Sequence, residues 1–158
     1  MKNRNLIIVC LASLVVFGCS TLPIETALKD EHFRIENFQR NIDDPRESLF
    51  LMCSNNQLVN WHAAGQFPAG EYDLMVIAVS NKRFVPHSRK EAEVRFNVNL
   101  ESGKNYTLNR KREGNDISVW IQDAESGKRV SDVQTTTMKL PLGNTYRRRL
   151  HECRTGTA

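Results

Sequence analysis

An all-β fold, a single antiparallel β-sandwich of about seven strands, is what this chain predicts. Three observations carry that reading. From Ala92 to Leu100 every second residue is apolar (Ala92, Val94, Phe96, Val98, Leu100), and Glu93, Arg95, Asn97 and Asn99 lie between them. This is the period-two pattern of a strand wet on one side. Shorter apolar runs before and after it are separated by glycine turns. From Leu51 onward no stretch sustains the apolar period of a helix.

The chain opens with Lys2 and Arg4, runs apolar from Leu6 to Phe17 except for Ser13, and reaches Cys19 through Gly18. A helix rising about 1.5 Å per residue needs roughly 20 residues to cross a bilayer core, and this run is shorter. It reads as a secretory signal. An ordinary signal cut elsewhere and an uncleaved anchor are the competing readings. With a basic start, a short apolar region and Gly before Cys, the segment resembles a bacterial lipoprotein signal. That resemblance implies a signal peptide over residues 1–18 and a diacylglyceryl thioether on Cys19. It also implies acylation, as with palmitate, of the amine that cleavage frees. Each buried methylene contributes about 0.8 kcal/mol and one chain alone holds weakly, so three would fix the protein to the membrane. An Asp after the cysteine tends to retain such proteins at the inner membrane; Ser20 stands there. The expected location is therefore the outer membrane, lipid-anchored and periplasm-facing.

Of 22 Lys and Arg against 18 Asp and Glu, Lys2 and Arg4 leave with the signal, so the mature balance is 20 against 18. A near-neutral domain is not a nucleic-acid binder by composition. The mature length suits one domain with one modest core. Cys10 leaves with the signal and Cys19 carries lipid, so Cys53 and Cys153 remain together in an oxidising compartment. They are expected to form a disulfide pinning the C-terminal tail to the first core strand. Two buried thiols, or a partner-linked or redox-active cysteine, are the alternatives; no Cys-x-x-Cys supports a thioredoxin-like role.

Residues 19–46 read as lipidated cysteine, tether and lead-in. Pro23 and Asp43-Asp44-Pro45 break the chain, and between them Glu25–Arg40 fits either a short helix or an edge strand. The sandwich is expected over 47–158. Ser48–Ser54, carrying Cys53, is its first strand, and Gln57–Trp61 a possible second piece. Ala63-Ala64-Gly65 and Pro68-Ala69-Gly70 are turns. Glu71–Val79 is apolar on both faces, which predicts a central, covered strand. Asn81–Lys90 is a polar loop with Pro86. Glu101-Ser102-Gly103-Lys104 predicts a hairpin loop, with Tyr106 and Leu108 on the return strand. Arg112–Asp116 turns again, Ile117, Val119 and Ile121 alternate, and Glu125-Ser126-Gly127-Lys128 repeats the earlier turn chemistry. Val130–Met138 closes the meander.

The run Phe67-Pro68-Ala69-Gly70-Glu71-Tyr72-Asp73-Leu74 resembles the apolar-Pro-x-Gly-x-aromatic step of PEGA-type and related prealbumin-like sandwich domains of envelope lipoproteins. Phe96–Leu108 resembles their strand, Gly-Lys and aromatic signature, and Trp120–Val130 their closing hairpin. The likeness spans roughly residues 67–130. It implies a sandwich and no catalytic residue, in a group mostly without assigned activity whose members include accessory modules; a fold does not fix a function.

No catalytic or metal constellation is expected, and no cofactor. His32, His62, His87 and His151 lack metal-ligand spacing, leaving only a composite of His151, Cys153 and His62. Ser102 and Ser126 sit in turns, no Gly-x-Ser-x-Gly or phosphate-cradling loop is present, and Asp43-Asp44 reads as a solvated turn. Two basic clusters stand out: Arg110, Lys111 and Arg112, and Arg147, Arg148 and Arg149. Folded together they form a patch for an anionic partner such as peptidoglycan or lipopolysaccharide. The bland reading is a solvated edge strand and tail whose charges block strand pairing. Trp61, Trp120 and Tyr146 are either stacking faces or core. The functional expectation is a non-catalytic envelope lipoprotein serving as an accessory or structural module for another envelope protein. The alternative is a module binding peptidoglycan or anionic lipid, and an enzyme comes last.

Overall fold

The apolar alternation folds as strands in the computed structural model, which describes residues 27–42, 44–60, 64–141 and 145–156. Among these residues ten strands and one helix follow in order. They are β1 (His32–Glu36), β2 (Phe38–Arg40), β3 (Arg46–Ser54), β4 (Gln57–Leu58), β5 (Gly65–Pro68), β6 (Gly70–Asn81), β7 (Lys90–Leu100), β8 (Asn105–Glu113), β9 (Asp116–Asp123), β10 (Gln134–Thr137) and α1 (Thr145–Thr155). One sheet runs β10-β9-β8-β1-β5; the other runs β2-β3-β6-β7, with β4 paired to β3. The all-β sandwich is thus observed, with ten strands in place of seven. The additional β1, β2 and β5 have three to five residues each, too few to show a period. Two of them lie in the segment 19–46 read as tether and lead-in, where Phe33 and Ile35 of β1 are buried.

Inward-facing residues of both sheets make the core: Phe33 and Ile35, Leu49 and Leu51, Leu74, Val76 and Ala78, Val94 and Phe96, Tyr106 and Leu108, Ile117, Val119 and Ile121. Phe33 is the aromatic hub, with Tyr72 at 5.3 Å and Tyr106 at 5.8 Å edge-on and Phe67 at 5.7 Å. As expected, β6 is central, paired on both sides and apolar on both faces. Its second face, Met75 and Ile77, joins Met52, Cys53 and Cys153 in a smaller cluster beneath α1.

A bulge in β3 makes that second cluster possible. Leu51 registers with Val76 but Cys53 with Met75, so Met52 is an extra residue. In a regular strand Cys53 would share the core face of Leu49 and Leu51; the inserted residue turns it to the outer face. There it bonds Cys153 at a Cα separation of 5.8 Å. The expected disulfide is present.

Three expectations are corrected. The sheets are not wholly antiparallel and not a meander, because β1 lies parallel to β8. The incoming chain is locked there by Arg34 N–H to Lys104 O at 3.0 Å and Gly103 N–H to His32 O at 2.9 Å. Glu101–Lys104 is no hairpin: β7 pairs with β6, β8 with β9 and β1, so the loop carries the chain from one sheet to the other. The edge of β7 is instead covered by Lys139, which exchanges two backbone hydrogen bonds of 2.8 Å with Glu91. The C-terminal segment is not a solvated tail but helix α1. It shows no apolar stripe because the face it lays on the sheet carries Arg148, Arg149, Glu152 and Cys153.

Candidate functional site

Along β8, residues 106, 108, 110 and 112 share the inner face. Tyr106 and Leu108 are core; Arg110 and Arg112 continue the row where the sandwich opens to water. Their stems follow the apolar interior and their heads reach out of it. Opposite them, Glu47 occupies the same row as Leu49 and Leu51 on β3 and is 8% exposed. Arg110 is ion-paired to Glu47, and its guanidinium lies 4.6 Å over the Phe38 ring. Arg112 Nη1 is 3.3 Å from Glu47 and donates to Ser80 Oγ at 2.6 Å, while its Nε donates to Gly114 O at 2.8 Å. Exposed Arg40 and Lys82 complete the rim of a cleft of about 450 Å³. Among the described residues Glu47 is the one carboxylate lining it against four cations, so these side chains make it positive. Guanidinium forks on a positive, partly dry wall suit phosphate or carboxylate groups.

The second arginine cluster sits on the opposite face of the β6–β7 pair and is turned inward, onto carboxylates. Arg149 donates to Glu91 at 2.5 Å, and Arg89 pairs with the same carboxylate at 2.7 Å. Arg148 is 3.1 Å from Glu93 and 2.6 Å from Glu152. Arg95 grips Asp73 with two bonds of 2.8 and 3.0 Å and donates to Glu152 O, near the end of α1, at 2.8 Å. Burial raises the Glu91 carboxyl, but the bonds and charges of Arg149 and Arg89 outweigh it and hold Glu91 low. Burial and the neighbouring Glu152 raise Glu93 in spite of Arg148. These groups attach α1 to the sheet.

The two basic clusters therefore do not form one patch. Arg110 and Arg112 face the cleft; Lys111 points the other way and pairs with Glu113 at 2.6 Å. Arg148 and Arg149 are structural, and Arg147 is exposed on α1. Arg40, Lys82 and Glu47 were missed because they come from three separate strand ends. The available signal was the parity of Glu47 with Leu49 and Leu51. Cys19, Trp61 and His62 lie outside the described residues. Cys153 is held in the disulfide and His151 is exposed on α1, so the composite His151–Cys153 metal site is overturned. Ser126 Oγ donates to Asp123 Oδ1 at 2.8 Å as part of its turn. Trp120 donates to Gln122 Oε1 at 3.0 Å on the outer face of β9. Tyr146, exposed, borders a small apolar cleft with Met52, Leu58, Val59 and Ile77. No protein-family model, no curated protein and no solved structure matches the chain.

Proposed function

We propose that this chain is a non-catalytic lipoprotein of the bacterial envelope, lipidated at Cys19 and carried on the periplasmic side of the outer membrane. Its sandwich holds an anionic envelope component in the cleft of Arg40, Lys82, Arg110 and Arg112. The observation that carries the binding role is the excess of cations over Glu47 among the described residues of an open cleft. The lipid anchor rests on the order of residues from Lys2 to Cys19.

The test substitutes the two exposed cations, Arg40→Glu with Lys82→Glu, which leaves the Glu47 contacts of Arg110 and Arg112 in place. Retention on purified anionic cell wall or anionic lipid should fall, most clearly at low salt. Retention equal to that of the unmodified chain on both supports would remove the proposed role. Radiolabelled palmitate incorporated in cells and lost in Cys19→Ser tests the anchor separately.

A protein partner is the second reading, favoured by the exposed apolar side chains Ile42, Phe84 and Val85 at the same end. Photo-cross-linking from position 85 in cells would trap that partner as one reproducible adduct.

A further inference from the structure

The loop between β2 and β3 and the loop between β6 and β7 form one tip beside the cleft. Arg83 N–H donates to Asp44 Oδ1 at 3.0 Å, and Arg83 Nη2 to Asn41 O at 3.3 Å. Ser88 Oγ closes the longer loop by accepting from Lys82 N–H at 3.0 Å. This bracing presents large apolar side chains to water. Phe84 is 94% exposed and Ile42 89%, with Val85 beside them. Phe84 also sits at φ 60°, a left-handed conformation that a bulky side chain rarely adopts. A ring left in water on a strained backbone does nothing for the fold.

Cations outnumber acids around these residues. Asn81–Lys90 contains Lys82, Arg83, Arg89 and Lys90 and no acid. The facing loop carries Asp43 and Asp44, of which Asp44 accepts the Arg83 N–H, and Arg40 stands at its start. Exposed apolar side chains among an excess of Lys and Arg are the pattern of a surface that dips into a bilayer interface while its cations meet anionic headgroups. A soluble glycan anion would use the cleft and leave Phe84 and Ile42 idle.

We infer that this tip docks on an anionic lipid surface, with Phe84 and Ile42 entering the interface and the Arg40–Lys82 cleft taking a headgroup phosphate. This deepens the anionic reading above and rests on it. The tip lies at the far end from the chain's entrance, since β8 begins beside His32 and ends at the cleft. At roughly 3.3 Å per residue its nine residues separate the two by about 30 Å.

The experiment places a reporter at the tip of the full chain, Phe84→Trp, and reads its emission relative to the unmodified chain. The probes are vesicles of phosphatidylglycerol with phosphatidylcholine, and vesicles of phosphatidylcholine alone. A blue shift, with quenching by lipids brominated on their acyl chains, is expected only with the anionic vesicles. It should be lost when Lys82→Glu and Arg83→Glu are added. The readout at position 84 does not depend on whether Cys19 carries lipid. Unchanged emission with both vesicle types, while anionic cell wall is still retained, overturns the lipid inference and leaves the anionic reading standing. Unchanged emission with no retention overturns both. A shift produced only by an acidic protein fraction assigns the tip to a protein and also overturns the inference.

Discussion

Arg149 of α1 donates a 2.5 Å hydrogen bond to Glu91, whereas Arg148, one residue earlier, is divided between Glu93 and Glu152. Two carboxylates on one face of β7 thus meet arginines in opposite proportions. Glu91 has two guanidiniums to itself; Glu93 shares one with a second carboxylate. Glu91 is held below its ordinary 4.5, so its stabilisation is present above that value and is lost as pH falls through the lowered one. Glu93 is raised, so its contribution is complete below the ordinary 4.5 and is lost as pH rises through its elevated value. Glu91→Gln should therefore destabilise at pH 7 by about 1.5–3 kcal/mol, as for a lost charged hydrogen bond. Glu93→Gln should be neutral or stabilising there. Urea midpoints at pH 7 and pH 4 check both. Equal losses at pH 7 would show that the two carboxylates are equivalent.

The Cys53–Cys153 bridge closes a loop of 100 residues. In the chain-entropy model that is worth about 4–5 kcal/mol through the unfolded state. The double variant Cys53→Ala, Cys153→Ala should lose most of it in urea unfolding, and dithiothreitol should reproduce the loss. The ion pairs of Arg148 and Arg149 remain, so α1 should stay docked at neutral pH and release first, exposing Met52, Met75 and Ile77. Faster amide exchange in α1 than in β6 would report that order. A midpoint unmoved by reduction would mean that the ion pairs alone hold the loop ends.

Much of this architecture is legible residue by residue. β7 declares itself from Ala92 to Leu100, and β6, apolar on both faces, announces that something covers its outer side. What covers it is not legible, because α1 binds through Arg148, Arg149, Glu152 and a cystine in place of an apolar stripe. Glu101–Lys104 has the composition of a hairpin loop, and Gly103 takes φ 73° as Gly127 takes 70° in the similar Glu125–Lys128 turn. Composition specifies that glycine conformation and not the sheet to which the next strand belongs. That depends on Tyr106, whose hydroxyl accepts the Glu101 N–H at 3.0 Å as its ring enters the core. For the cleft, Arg110 and Arg112 are visible as a charge run, but their carboxylate is more than sixty residues away on β3. Only the pairing of sheets brings it close.

Asp123 organises the turn after β9. Its Oδ1 accepts from the N–H groups of Glu125 at 3.1 Å and Ser126 at 2.7 Å and from Ser126 Oγ at 2.8 Å. The bonds from Ser126 hold its carboxyl below the ordinary value of 3.8, with Lys104 adding to the effect. The stabilisation is therefore present above 3.8 and disappears as pH falls through the lowered value. Asp123→Ala should lower the melting temperature at pH 7 and narrow its gap from the unmodified chain in strong acid. A gap independent of pH would show that the turn does not rely on the charge.

Glu47 couples the stability of the sandwich to the charge of the cleft. It is the carboxylate on which Arg110 and Arg112 converge, at side-chain exposures of 10% for the acid and 12% and 19% for the arginines. Removing one partner of a buried ion pair leaves an uncompensated charge and typically costs about 3–5 kcal/mol. The heads of both arginines border the open cleft, so water relieves part of that cost, and Glu47→Gln keeps an acceptor for one of them. A loss of roughly 1–3 kcal/mol is expected for Glu47→Gln, and more for Glu47→Ala. The same change deletes the only carboxylate that lines the cleft among the described residues and frees one guanidinium to face its interior. Glu47→Gln should therefore bind anionic wall or anionic vesicles more tightly than the unmodified chain while unfolding at lower urea. The two effects are separable by measuring retention well below the unfolding midpoint. Weaker retention by a folded Glu47→Gln protein would mean that Glu47 positions the arginines for the ligand and does not compete with it.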